Sequence, residues 1–385
     1  MLIFLLLGWT FCGLALCGTA YALLAARFAG RFVKKPLPDN ASRAAVSLLK
    51  PLHGGAPGLA EDLESFCRQD YAGPVQIVFG VQDAADPSIP IVEALKARFP
   101  ALEIALVLDD KSHGPNAKVS NLANIMAAAR HDLLILSDDD IAVPPDWLAV
   151  VTRALDAPGI GLVTCLYTGA TAADANLWSI LAAMGNSYDF LPNAILGSSL
   201  GLADPCFGST IALRRGMLES IGGFAAFTDY LADDYEIGRA VREKGYRIAI
   251  PALGVRHGCR EDSLRDLFRH ELRWTRTIRL LNPHGHLGSI VTLPLPLAIL
   301  GAVFLGFGGV FSLFGGLAIG AAVASRLFLK WRIDAIFGVD AGSAWLLPLR
   351  DLLSFAVFLA SLFGGTVHWR GTRFAVQASG AMTRS

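Results

Sequence analysis

Leu133-Leu134-Ile135-Leu136-Ser137-Asp138-Asp139-Asp140 decides the fold: four apolar residues make one short buried strand, and a serine and three carboxylates end it. An unbroken apolar run of this length suits a strand covered on both faces. The pattern recurs at residues 45–49, 75–81, 104–108 and 161–166, each bounded by Pro, Gly or Asp. Helical patterns lie between, at 60–68, 91–99 and 119–129. Strand–helix alternation predicts an α/β fold with a mostly parallel sheet. Ligands of such sheets bind outside the carboxyl ends of the strands, so the polar residues just after each strand are the ones to inspect.

Acidic residues gather there. Asp83 follows the second strand, and Asp138, Asp139 and Asp140 follow the fourth. Successive carboxylates repel unless a cation or hydrogen-bond donors offset them. Oxygen ligands of this kind suit Mg²⁺ or Mn²⁺ bridging to substrate phosphates. In an extended segment Asp138 and Asp140 point the same way and can share a metal. The competing reading is an acidic turn capping the helix that begins near Pro145. A further acidic group, Asp233-Asp234-Tyr235-Glu236, opens a helix that is followed by Gly245 and a short strand at 246–250. Capping accounts for Asp233; Asp234 is the candidate general base. His257, in a loop, is read as structural rather than as a further metal ligand.

The ends of the chain are different in kind. Residues 2–28 carry no charge before Arg27, and Arg27, Arg31, Lys34 and Lys35 follow. That length spans a bilayer, and the basic cluster puts the centre of the chain in the cytoplasm. The run lacks the basic start and small-residue cleavage site of a signal peptide, so it is read as an anchor. The apolar stretch 290–324 predicts two short helices broken at Gly306, Gly308, Gly309, Gly315 and Gly316, with Arg326, Lys330 and Arg332 returning to the cytoplasmic side. A third run, 352–367, beside Arg350 and Asp351, spans or re-enters.

Just before these last runs, residues 263–281 form an amphipathic helix. Arg265, Arg269, Arg273 and Arg276 lie along one side and Leu264, Leu267, Phe268 and Leu272 along another, the pattern of a helix lying on a membrane. A solvated basic face explains Arg265 and Arg269 equally well. Arg273-Trp274 joins a phosphate-pairing guanidinium to a large aromatic. The 33 basic and 33 acidic residues balance, so no bulk charge points to nucleic acid as a partner. Six cysteines without metal-ligand spacing fit a reducing compartment.

Taken in order, Lys50-Pro51-Leu52-His53-Gly54, the stretch from Val81 to Pro87, Asn116 to Leu122, the Asp138 cluster, Asp233-Asp234-Tyr235 and Arg273-Trp274 resemble the ceramide glucosyltransferases. These are membrane glycosyltransferases of the family 2/21 type, inverting enzymes of GT-A fold with a "D, D, D, (Q/R)xxRW" signature. Phe66 to Tyr71 and His270 to Trp274 look closest to the bacterial branch associated with hopanoid biosynthesis. His270 stands where the signature has Gln or Arg. The resemblance implies a UDP-sugar donor, a lipid acceptor (a hopanoid polyol such as bacteriohopanetetrol, or ceramide), a β-linked glycolipid product and a divalent metal. It implies that Asp83 binds uridine, Asp138 and Asp140 hold the metal, Asp234 is the base, and Arg273 and Trp274 close over the diphosphate. Lys118 approaches the donor, and His270 is a further contact to donor or acceptor.

The chain therefore divides, as expected, into an anchor (1–30), a cytoplasmic catalytic domain (43–260), an interfacial helix (261–288), a transmembrane or re-entrant region (289–367) and a polar, exposed tail (368–385). The setting is a bacterial inner membrane crossed more than once. A processive polysaccharide synthase, a polyprenyl-phosphate sugar transferase and a non-catalytic scaffold are the competing functions.

Overall fold

The computed structural model describes residues 1–34, 42–309, 313–369, 372–377 and 380–384. Lys35, one of the basic residues after the first apolar run, and parts of the 368–385 tail lie outside these. In chain order the strands are β1 (Val46–Pro51), β2 (Val75–Val81), β3 (Glu103–Leu108), β4 (Leu133–Leu136), β5 (Ile141–Ala142), β6 (Ile160–Thr164), β7 (Leu166–Ala170), β8 (Ile211–Arg214), β9 (Arg247–Ala249), β10 (Gly254–Gly258), β11 (Thr366–Trp369), β12 (Thr372–Val376) and β13 (Met382–Arg384). The helices are α1 (Leu2–Phe32), α2 (Leu59–Cys67), α3 (Ser88–Arg98), α4 (Ala117–Ile125), α5 (Trp147–Leu155), α6 (Leu177–Gly185), α7 (Leu191–Ser199), α8 (Arg215–Ser220), α9 (Asp233–Glu243), α10 (Leu264–Leu281), α11 (Pro283–Gly288), α12 (Pro294–Phe307), α13 (Leu313–Phe337) and α14 (Leu347–Ser361). Two compact units result, one drawn from Lys35–Ala173, Asp204–Arg260 and Ala375–Ser385, the other from Met1–Lys34, Asp174–Ala203 and Glu261–Phe374.

The first unit holds a seven-stranded sheet in the order β3-β2-β1-β4-β8-β6-β9. β1 pairs in parallel with β2 and β4, and β2 with β3. β8 runs antiparallel between β4 and β6. The central strands β1, β2 and β4 are mostly apolar because both their faces are buried. Val46, Leu48, Ile77, Phe79, Leu133 and Ile135 enter one core with Leu63, Phe66 and Trp147. Their alternates Leu49, Val78, Leu134 and Leu136 enter the other with Val119, Leu122 and Ile237. The period-two rule thus divides each run between two cores. A smaller sheet, β5-β10-β7, lies beyond the acidic turn, so the predicted strand 161–166 is two strands serving two sheets.

The second unit is helical. Among the described residues three helices are long and apolar enough to cross a membrane, Leu2–Phe32, Leu313–Phe337 and Ala344–Ser361, with a fourth span if Pro283–Thr292 and Pro294–Phe307, bent by 72°, count as one. The predicted pair of short helices is corrected. Gly315 and Gly316 lie inside α13, which runs on through Arg326, Lys330 and Arg332 instead of ending before them. Arg350 and Asp351 are likewise inside α14. The tail is not wholly exposed either: Phe374 and Met382 are buried.

The sequence reading also missed α6 and α7, joined by a π-helical turn, Asn186–Phe190. That turn delivers Tyr188 and Asp189 to the charges of α13 and α14. Arg326 donates to Asp351 Oδ1 (2.8 Å), Asp189 Oδ1 (2.5 Å) and the Tyr188 carbonyl (2.8 Å). Arg350 also reaches Asp189 (3.2 Å). Lys330 lies between Asp334 (2.6 Å) and the Tyr188 hydroxyl (2.9 Å). The chain retains these ions because each finds a partner among otherwise apolar helices. Arg326→Met strands Asp351 and leaves Asp189 with Arg350 alone as its cation. Such a break costs about 3–5 kcal/mol, so the thermal midpoint in detergent should fall well below wild type; an unchanged midpoint would make the network dispensable.

Candidate active site

The carboxyl edge of β1, β2 and β4 collects the polar residues. Lys50 ends β1 fully buried, against the Phe66 ring at 3.9 Å, and donates to the Asp138 carbonyl. Burial lowers its pKa to about 8, with Asp139 and Asp138 pulling the other way. After β1 the backbone N–H of His53 donates to Asp139 Oδ2 (3.3 Å) and that of Gly54 to Asp86 Oδ2 (2.9 Å). Asp83 sits at the same edge but is exposed; its Oδ1 accepts the N–H of Ala85 (2.9 Å). It is Asp86, three residues on, that ties this loop to the loop after β1.

Beyond β4 the chain turns at Asp139 and Asp140 instead of staying extended. That corrects the expectation of two parallel side chains from one strand segment. The two carboxylates nevertheless remain near enough for Asp140 to raise the pKa of Asp138. Asp138 Oδ1 pairs with Lys118 Nζ (2.6 Å), and Asp140 Oδ2 lies 3.3 Å from His257 Nε2. His257 is on β10, not in a loop, and its ring packs at 5.3 Å from that of Tyr167. Burial alone would lower the pKa of His257, but Asp140 holds it well above the usual imidazole range.

Lys118 is placed by the start of α4. Asn116 caps that helix, its Oδ1 accepting from the N–H of Val119 (3.0 Å), and its Nδ2 donates to the Tyr230 carbonyl (2.8 Å). Lys118 Nζ then lies 2.6 Å from Asp138 and 3.2 Å from Asp233. Asp233 is therefore a buried ion-pair partner; the N-cap of α9 is Ala232, correcting the capping role. The loop before α9 is held from the tail as well, the N–H of Met382 donating to the Asp229 carbonyl (2.7 Å).

Asp234 completes the cluster. Its Oδ2 accepts from the N–H of Gly208 (3.0 Å) and its Oδ1 from that of Tyr235 (2.8 Å). Burial pushes its pKa up to about 6, Asp233 adds to the rise, and Lys118 opposes it. Lys118 itself stays far above the ordinary amine range: burial lowers it, and Asp138, Asp233 and Asp234 outweigh burial. Asp138 is raised, by burial first, against the pull of Lys118.

Gly208 escaped the sequence reading. A Cβ there would stand 2.6 Å from Asp138 Oδ2 and 3.0 Å from Lys118 Nζ. Its backbone joins the two acidic stretches, its carbonyl accepting from the N–H of Asp138 (3.3 Å) and its own N–H reaching Asp234. The only cue was a glycine just ahead of β8.

His270, Arg273 and Trp274 belong to the helical unit, on α10. His270 shares a hydrogen bond with Glu261 (2.8 Å) and packs edge-on against Trp274 at 4.3 Å. Arg273 lies 5.9 Å from the Trp274 ring. One turn away, Glu271 is gripped by both terminal nitrogens of Arg350 (2.5 and 2.8 Å). Arg276 is not solvated, as a basic face implies; it donates to the carbonyls of Thr366 (2.7 Å) and Phe363 (2.9 Å).

With this geometry in view, the chain was compared with known proteins. The family model described as glycosyl transferase family 21 matches residues 9–382. The chain belongs to that family. This glycosyltransferase is 24% identical over 356 residues to ceramide glucosyltransferase 1 of Caenorhabditis elegans, covering 88% of this chain and 73% of the relative. It is 24% identical over 257 residues to ceramide glucosyltransferase 3 of the same animal, spanning 64% of this chain and 53% of that relative. Its fold is similar to that of a mannosyltransferase from Pyrobaculum calidifontis solved with GDP-Man and Mn²⁺, with a TM-score of 0.51, 21% identity, and 93% and 99% of the two chains covered. The fold is the expected GT-A arrangement.

Gly208→Ala adds a methyl where Asp138 and Lys118 meet. The glycosyltransferase should remain folded and lose at least tenfold in turnover (about 1.4 kcal/mol of transition-state stabilisation). Wild-type turnover with an unchanged thermal midpoint would mean that the close approach has no part in the chemistry.

Proposed function

We propose that this glycosyltransferase moves a sugar from a UDP-sugar to the primary hydroxyl of a membrane lipid, ceramide or a hopanoid polyol, with inversion at the anomeric carbon. One observation carries the reading: Asp138, Asp140, Asp233 and Asp234 come from two distant stretches and converge, around Lys118 and His257, at the ligand edge of the sheet. The relatives named for ceramide glucosylation support the lipid acceptor. The membrane-length helices support placement at a bilayer. The basic residues after α1 support a cytoplasmic catalytic unit, and the resemblance to the hopanoid-associated branch supports a bacterial inner membrane.

The donor set suits a divalent cation. Among the described residues no three acidic, His or Cys side chains are arranged around one point as a cage. Mg²⁺ and Mn²⁺ sites of nucleotide enzymes commonly need only one or two carboxylates, with phosphate and water completing the shell. Asp138 and Asp140 would hold the ion, with His257 beside Asp140. Bound there, it would offset the charge that develops on the diphosphate. Removing divalent ions with EDTA should stop product formation, and Mn²⁺ or Mg²⁺ should restore it; full activity in EDTA would remove the metal from the proposal.

Asp234 is the base in this reading. Its site on the sheet edge is fixed by two backbone N–H groups, and a pKa of about 6 is closer to neutrality than that of an ordinary carboxylate. It takes the acceptor's proton as the oxygen attacks, a contribution of about 10²–10⁴-fold. One displacement inverts the sugar, so an α-linked donor gives a β-linked product. Asp83 keeps the uridine role, and Arg273 and Trp274 the diphosphate role, that the family signature implies.

Asp234→Asn should abolish glycolipid formation and leave UDP-sugar binding within about threefold. In wild type, kcat/KM should fall tenfold per pH unit once the pH drops through the Asp234 pKa, because the base is lost as it takes up a proton. A bound divalent ion lowers that pKa, so the limb lies at or below pH 6. Residual activity of the asparagine variant with the same acid limb would assign the base to another group.

A further inference from the structure

α1 and α13 form a groove of about 470 Å³ lined by Leu23, Ala26, Arg27, Gly30, Arg31, Lys34, Phe328 and Arg332. Four of these are cations, and among the described residues none has a carboxylate within ion-pair distance. The contrast within α13 is sharp. Arg326 and Lys330, six and two residues earlier, are neutralised by Asp189, Asp351 and Asp334, whereas Arg332 lines the groove with Arg27, Arg31 and Lys34. Like charges drawn together repel unless an anion comes between them. The arrangement is also built into the backbone. A Cβ on Gly30 would lie 2.8 Å from Arg332 Nη2, so the guanidinium rests directly over that glycine of α1.

We propose that this groove binds an anionic phospholipid, its phosphodiester between the four cations and an acyl chain along Leu23, Ala26 and Phe328. The position suits that occupant. α1 is apolar up to Arg27, so the cations mark the level at which the bilayer interior ends. Trp331, largely exposed, neighbours Arg332 as aromatic residues do at a headgroup layer. Basic pockets between membrane helices recognise acidic headgroups. The positive-inside tendency accounts for cations near a span; it does not account for their convergence from two helices on one cavity. The proposal rests on the reading of α1 and α13 as membrane helices and is independent of the sugar-transfer chemistry, since its test reads lipid binding.

The test titrates short-chain phosphatidylglycerol, phosphatidylcholine and inorganic phosphate separately into the purified full chain in neutral detergent. Phosphatidylglycerol should bind at least tenfold more tightly than phosphatidylcholine, and millimolar inorganic phosphate should not displace it. Replacing Arg27, Arg31 and Arg332 together by Gln should weaken binding on the order of 100-fold. Lys at the same three positions should keep it within about fivefold. Gly30→Leu, which leaves the charge intact and fills the groove, should weaken it about tenfold. Arg265→Gln with Arg269→Gln removes exposed charge from α10 and should change nothing. Equal binding of the two lipids, displacement by free phosphate, or equal losses from the α10 and groove variants would each overturn the proposal. A triple variant that unfolds leaves Gly30→Leu and the lysine variant to decide.

Discussion

Lys118 is the cation on which the acidic edge depends. Asp138 and Asp233 approach within 2.6 and 3.2 Å of its ammonium, and Asp234 is close enough for its charge to be felt. Without it, carboxylates from two separated stretches, one buried and the others half-buried, would sit against one another with no ammonium between them, an unfavourable arrangement. Everything that positions Lys118 therefore positions the site. Asn116 caps α4 and reaches the carbonyl of Tyr230 just ahead of α9. Asn121, one turn along α4, donates to the Gly80 carbonyl at the end of β2 (2.8 Å). The stretch from Asn116 to Leu122 thus acts as a brace between the strand ends and the acidic helix.

The helical unit solves the same problem with the signs exchanged. Arg326 and Arg350 are buried among apolar helices, and Asp189, Asp351 and Glu271 neutralise them. The π-helical turn is what makes this geometry available, because the wider turn delivers Tyr188 and Asp189 together. Through Glu271, the network also fixes the turn of α10 that carries His270, Arg273 and Trp274. His270 fills its position by packing on Trp274 and bonding Glu261. The imidazole therefore has a structural reason to stand where the family signature places Gln or Arg.

The strands of the parallel half were legible in the sequence to within two residues, because burial on both faces leaves continuous apolar runs. The acidic clusters were legible too, since the sheet rule says where to look. Side-chain pairings were not. Nothing in the local sequence distinguishes Asp233 as a cap from Asp233 as a partner of Lys118, 115 positions away in the chain; the assignment needs both stretches in space. The charges buried among the helices misled for a related reason. Arg326 and Lys330 read as the start of a polar loop because a charge in an apolar run usually ends it. Partners at Asp189 and Asp351, from other helices, allow the helix to continue.

The glycines expose a second limit of local reading. Gly208, Gly80, Gly185 and Gly30 lie outside the set with positive φ, so backbone conformation does not call for them. In each case the space of the missing Cβ is occupied by a polar side chain from elsewhere. Asp138 and Lys118 fill it at Gly208, Asn121 at Gly80, Arg350 at Gly185 and Arg332 at Gly30. At three of the four positions the neighbour carries formal charge, and long-range pairing in a confined space is the common need. A charged group can be buried only if its partner is close, and the nearest approach is over a residue with no side chain. At Gly208, Gly185 and Gly30, with no turn to make, the glycine marks the close approach of a charged neighbour, whereas at Gly8, Gly301 and Gly238 the same space meets Leu305, Cys12 and Cys206. In this chain that reading leads from four unremarkable positions to the acidic edge, the brace that holds it, the buried ion network and the basic groove.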